Sequence, residues 1–397
     1  MSIARLALHL ALSLVLSGSA AFAATPPAQP KSGPGGAENA GAEVVKRAVG
    51  TQSAYSYVYY TAGKPAAPRP VVVFLHGWGA TNPMIYGGWI DHLARRGYLV
   101  LFPGFHEVGR TRPVDATARA AARVKAALAA LQSDPDARPD TTRVAILGHS
   151  AGAGVAANLA AIAKSSDLPV PKLVFLMMPG GIASDEKSRG IQLADLSQID
   201  PGTDMIAMVG DREAAASERV SRRILRAASE VPPSRKLFMR AGSDDHGFPT
   251  LSATLAAPGA PLDGYDTAAI KLPPDPPRDP KAPREAVPRW SADMVLSGEQ
   301  QVLLNQLNRN VIDTLDWLAF WRTFDIAADA AFASGELAPL LRTEPALLDM
   351  GRWSDGWPVR RLAAETPRAE SAAPVTRVAP APSKMPVIRK KQPARQR

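Results

Sequence analysis

No cysteine occurs anywhere in the 397-residue chain. Disulfides, cysteine zinc sites, iron–sulfur clusters and a cysteine nucleophile are excluded together. A lipoprotein anchor goes with them, because it needs a cysteine just after the leader. Aromatic residues supply only 6% of the chain, so the core must be mainly aliphatic. No apolar run reaches the ~20 residues that span a bilayer, which excludes stable membrane insertion. The sequence also lacks H-E-x-x-H, a phosphate-binding G-x-x-x-x-G-K-S/T loop and a Rossmann fingerprint after the first strand. Neither a metal nor a cofactor is expected.

What remains is 46% hydrophobic and 21% charged, enough to bury a sizeable core and to exclude wholesale disorder. The net charge of +9 is unevenly placed. Residues 367–397 hold eight basic residues against the single acid Glu370, and the first 24 hold only Arg5, so the body nets +1. A nucleic-acid-binding domain would carry its charge on the folded surface, so no nucleic-acid partner is expected. The basic tail, with Arg389-Lys390-Lys391, is instead a solvated segment open to contact with anionic surfaces.

Arg5 precedes an apolar run over residues 6–16, and Ala21-Phe22-Ala23 follows as an A-x-A cleavage pattern. Residues 1–24 therefore read as a cleaved signal peptide, which implies export to the periplasm or the medium. Residues 25–42, rich in Pro, Gly and Ala, read as a disordered linker. Residues 272–288 hold seven prolines and read as a surface loop. The tail 367–397, with six more, reads as disordered. Both ends of the chain, 25–42 and 367–397, are expected to be dispensable for folding and turnover. The body is 43–365.

Within that body, continuous apolar runs at 71–75, 99–102, 144–147, 173–177, 206–209 and 237–239 have the character of parallel strands buried on both faces. Helical stretches at 113–131, 154–163 and 218–228 lie between them. Leu304, Leu307, Val311, Leu315 and Leu318 then repeat at helical spacing, predicting a long amphipathic helix within a helical C-terminal part, 291–362. The fold class is α/β: a mostly parallel central sheet with helices on both faces.

The sharpest motif is Gly148-His149-Ser150-Ala151-Gly152. A bare G-x-S-x-G is weak. Here it follows a predicted strand directly and opens an apolar helix, which is the setting a nucleophile elbow requires. A serine needs a base, and in elbow proteins the chain order is serine, acid, histidine. Of the six histidines only His246 follows Ser150, just past the last predicted strand. The acid should leave the strand before it, where Gly210-Asp211-Arg212-Glu213 stands. Position favours Glu213 and residue type favours Asp211, so both stay open. For the oxyanion the candidate donors are the N–H groups of Ala151 and Trp78. Trp78 sits in His76-Gly77-Trp78-Gly79, where Gly77 and Gly79 let the backbone approach substrate, and its indole is a candidate wall of the acyl pocket. His76 and His149 read as structural.

These motifs resemble the α/β-hydrolase superfamily, and among it bacterial dienelactone-hydrolase-like, chlorophyllase-like and polyester-hydrolase-like esterases. The resemblance covers roughly Thr51 to Gly247. It implies an α/β-hydrolase fold and a serine carboxylic-ester hydrolase acting on a small or polymeric ester through an acyl-enzyme, without cofactor. Alternatives are a lipase or peptidase of the same fold, or a binding protein that kept the fold without catalysis. Two features depart from the pattern: Glu213 stands where Asp is usual, and residues 248–362 follow the histidine where one helix often suffices. Trp317-Leu318-Ala319-Phe320-Trp321 and the aromatic stretch 350–357 are expected to pack on the body rather than cap the site.

Overall fold

The structure, a computed structural model, describes residues 23–212, 215–277, 289–294, 299–333 and 347–366. Residues 1–22 of the expected leader, Glu213, residues 278–288 of the Pro-rich loop and the tail 367–397 lie outside the described residues.

One sheet organises the body, in the order β1-β2-β4-β3-β5-β6-β7-β8-β9. The strands are β1 Val44–Thr51, β2 Ala54–Thr61, β3 Arg69–Leu75, β4 Leu99–Pro103, β5 Pro139–His149, β6 Leu173–Met177, β7 Asp204–Gly210, β8 Lys236–Ala241 and β9 Ala363–Glu365. From β4 to β8 every pairing is parallel. The strands β1 and β2 form an antiparallel hairpin at one edge, and β9 closes the other edge antiparallel. Each apolar run of the sequence occupies a central strand, and these are buried along their whole length in β4, β6 and β7. Burial on both faces leaves no polar alternation, which is why they read as continuous runs. The outer hairpin β1–β2 and the edge strand β9 were not anticipated. In β1 and β9 the side chains are half-buried or exposed, so apolar content does not announce them.

The helices are α1 Gly87–Arg95, α2 Ala116–Leu131, α3 Ala151–Ile162, α4 Ala215–Ala227, α5 Glu299–Leu307 and α6 Arg322–Phe332. Trp89 of α1 is wholly buried and meets Phe74, Phe175, Phe320 and Phe324. That cluster fixes the C-terminal segment, including a π-helix at Leu315–Trp321, to the body. The long helix predicted through Leu304 to Leu318 is broken. It stops at Leu307, where Asn310 turns its amide onto the carbonyls of Ala256, Ala257 and Gly259. Helix resumes only after the Asp313 carboxylate has accepted the Leu315 N–H at 2.7 Å. Side-chain to backbone competition of this kind defeats a periodicity argument.

Residues 25–42, expected as a disordered linker, instead run along the body. The Thr314 hydroxyl donates to the Pro27 carbonyl at 2.8 Å, and the Gly35 N–H donates to Asp325 at 2.8 Å. Thr25 and Ser354 pair reciprocally, and the Phe248 N–H donates to the Ala24 carbonyl. Low apolar content hides such packing because the contacts are backbone hydrogen bonds. The described start of the Pro-rich loop lies on the β1–β2 turn, where Asp275 accepts from both the N–H and the hydroxyl of Ser53.

Candidate active site

The sheet delivers β5 to a sharp turn at Ser150, the residue before α3. Ser150 has φ 52° and ψ −118°, a conformation that costs a non-glycine residue about 1–3 kcal/mol. Two backbone bonds hold it there: its N–H donates to Met177 of β6, and its carbonyl accepts from Ala153, each at 3.0 Å. The flanking glycines are required by close approach. A Cβ on Gly152 would stand 2.2 Å from the Leu75 carbonyl oxygen, and one on Gly148 2.3 Å from that of Gly152. Both obstacles are backbone and cannot swing away. Gly152→Ala is therefore expected to cost about 3 kcal/mol by forcing α3 off the sheet, read as a lower midpoint in urea unfolding.

The loop after β3 lies against this turn. A Cβ on Gly77 would be 3.6 Å from that of Ser150. The Gly77 N–H donates to the Tyr86 hydroxyl at 3.0 Å, which reaches His149 Nδ1 at 2.9 Å. His149 Nε2 lies 2.8 Å from the Leu255 carbonyl, so that nitrogen carries the hydrogen and Nδ1 accepts from Tyr86. Burial pushes the His149 imidazole down to about 4, which keeps it neutral and unable to serve as a base near pH 7. His76 is likewise depressed by burial to about 4, its Nδ1 on the Gly77 carbonyl and its ring stacked on Phe102 and Phe105. Both are structural. Tyr86→Phe would strand two buried polar groups, a loss of roughly 2–4 kcal/mol. A lowered melting temperature and slower reaction at Ser150 are expected together, because the same bond ties the loop to the turn.

On that loop the Gly77 N–H is taken by Tyr86 and the Gly79 N–H donates to His106 Nδ1 at 3.3 Å. The Trp78 N–H meets no described partner, and Ala151 opens α3, where the first N–H groups have no intrahelical acceptor. These are the two donors expected for an oxyanion. The Trp78 indole, by contrast, is buried against His106 and donates to the Met294 carbonyl at 3.0 Å. It belongs to the core rather than to an open acyl pocket. Gly180, after β6, was not anticipated: a Cβ there would sit 3.4 Å from Ser150 Oγ.

His246 follows β8 as expected, but no hydrogen bond joins it to Ser150 Oγ. Its Nε2 pairs with Asp355 Oδ2 at 2.7 Å, and its ring stacks on Trp357 at 5.5 Å and 13°. Asp211 does not reach His246. One oxygen accepts from the Ser243 hydroxyl at 2.6 Å and the other pairs with Arg360 at 3.0 Å. The carboxylate thus ties the exits of β7 and β8 together. Asp355 was missed because the elbow's chain order directs attention upstream of the histidine. Among the described residues no three His, Asp or Glu side chains cluster as metal ligands, and no helix is long and apolar enough to cross a membrane.

Residues 48–189 match the chlorophyllase family. No curated protein matches in sequence. Similar solved structures include carboxyl esterase 2 from Tuber melanosporum, at 17% identity, covering 59% of this chain and 87% of that one, TM-score 0.38. An esterase from Rhizomucor miehei is 15% identical, with 56% and 80% covered and a TM-score of 0.39. Esterase B from Lactobacillus rhamnosis is 17% identical, with 50% and 74% covered and a TM-score of 0.37. Overlaps this loose carry no argument, so the assignment rests on strand order, the strained serine turn between β5 and α3, and the matched segment. By those features the chain has an α/β-hydrolase fold, and its residues 48–189 are similar to the chlorophyllase family.

Proposed function

We propose that the protein is an exported serine hydrolase of carboxylic esters, with Ser150 as nucleophile and His246 as base. The observation that carries this reading is the strained Ser150 turn, held next to Gly77 and Gly180 with the Trp78 and Ala151 N–H groups at hand. Strain of that kind persists where the surrounding structure enforces it, and it clusters at functional sites. Ser150 Oγ attacks the ester carbonyl while His246 takes its proton, and the two N–H groups hold the tetrahedral oxyanion. The alcohol then leaves with the proton from His246. Water, deprotonated by His246, attacks the acyl-enzyme; the acyl–Oγ bond then breaks, Ser150 Oγ takes the proton back from His246, and the acid is released. This sequence needs His246 within hydrogen-bond reach of Ser150, a contact that in empty sites often tightens only with substrate bound.

A fluorophosphonate probe tests the reading directly. Stoichiometric labelling of the folded protein, lost in Ser150→Ala, is expected, together with turnover of nitrophenyl esters. A folded protein that takes no label and turns over no ester would leave the non-catalytic binding protein as the better account. A panel of esters of rising acyl length would then separate esterase from lipase, and peptide anilides would report a peptidase.

A further inference from the structure

We propose that Asp355 is the carboxylate that positions His246 for catalysis. The proposal rests on the serine-hydrolase reading and assigns the third member of its machinery.

The contact is well built on both sides. Asp355 Oδ2 meets His246 Nε2 at 2.7 Å while Oδ1 accepts the Trp357 N–H at 3.0 Å, so the carboxylate is aimed by its own turn. The Trp357 N–H first, and His246 second, hold the Asp355 carboxyl below the usual carboxylate range. It is therefore ionised at neutral pH and acts only as an acceptor. The imidazole lies flat on Trp357 and near Trp353, 5.7 Å between ring centres. Asp244 joins the two loops: Oδ1 accepts the His246 N–H, and Oδ2 accepts from the Arg360 N–H at 2.8 Å and the Trp353 indole at 3.3 Å. The segment beside the expected cleavage point adds a clamp: in the full chain Ala24 holds Phe248, two residues past His246, and Thr25, which lies beyond the expected leader, holds Ser354, one residue before Asp355.

This arrangement decides which nitrogen is the base. An ionised Asp355 requires the hydrogen on Nε2, which leaves the Nδ1 lone pair to receive the Ser150 proton. On transfer, the Oγ–H bond breaks, an Nδ1–H bond forms, and the resulting imidazolium keeps its Nε2–H bond to Asp355. Because the Asp355 side chain is 49% exposed and that of His246 29%, solvent screens much of the attraction between the charges. Asp355 is accordingly a positioning residue that sets tautomer and ring orientation more than it stabilises charge. Asp211 cannot share the task while it serves Ser243 and Arg360.

The test uses the full chain and reads three quantities: the rate of fluorophosphonate labelling, kcat and KM for a nitrophenyl ester, and the His246 tautomer by nitrogen-15 NMR. Asp355→Asn keeps an oxygen for the Trp357 N–H and should fold. A buried triad acid replaced by its amide loses about 10⁴ in turnover, and the screened pair here is expected to lose roughly 10² in kcat and in labelling rate, at unchanged KM. The Nε2–H tautomer should give way to a mixture. Asp355→Glu should recover at least part of the rate, which a merely structural aspartate would not predict. Wild-type labelling rate and tautomer in Asp355→Asn, with loss of both in Glu213→Gln or Asp211→Asn, would overturn the assignment while leaving the serine mechanism intact. Absence of labelling in the wild type would instead remove the mechanism itself.

Discussion

Replacing Ser150 with alanine is expected to abolish ester turnover, by about six orders of magnitude as for other serine nucleophiles that act as a unit with their base. What survives should be the smaller contribution of the oxyanion donors and substrate binding. Stability provides an independent reading of the same residue. Ser150 sits at φ 52°, where a Cβ is strained and glycine is not. Ser150→Gly should therefore lose activity as fully as Ser150→Ala yet melt higher, by roughly 1 kcal/mol of relieved strain. Alanine retains the Cβ and gains nothing. Equal melting of the glycine and alanine variants would show that the turn stores no strain. Residual turnover within tenfold of wild type would remove Ser150 as the nucleophile.

Removing residues 24–40 should be the largest perturbation of stability short of the core. A chain that begins at Gly41 loses the Ala24–Phe248 and Thr25–Ser354 pairings, the Thr314 bond to Pro27 and the Gly35 N–H on Asp325. Asp325 matters most, because it is fully buried and also takes His92 Nε2 at 2.9 Å and the Arg96 guanidinium at 3.3 Å. A buried carboxylate that loses a donor bears a larger penalty than an exposed group. Deletion also returns the entropy of ordering the segment, so the net loss is expected at about 2–4 kcal/mol. That corresponds to a melting temperature lower by roughly 5–15 °C. Turnover should fall as well, since Ala24 and Thr25 brace both sides of the His246–Asp355 contact. Unchanged melting and turnover in the shortened chain would mean that the segment merely lies on the surface.

The architecture was legible in the residues because its signals are local. Buried parallel strands must be apolar on both faces, so β3 to β8 stand out as unbroken runs. A serine forced to positive φ between strand and helix needs small neighbours, so Gly148 and Gly152 mark the turn. With the histidine count, those constraints single out Ser150 and His246 as candidates. The partner of His246 was not legible, because Asp355 stands 109 residues further along and reaches it only through tertiary contact. Nor could composition separate a tethered segment from a free one at 25–42, where the attachments are backbone hydrogen bonds that any residue can make. Local chemistry is written residue by residue, and so the sequence alone determined the central parallel strands and the strained turn at Ser150. Which carboxylate meets the imidazole, and which loops hold it, depends on how distant segments dock, and only the tertiary structure decided that.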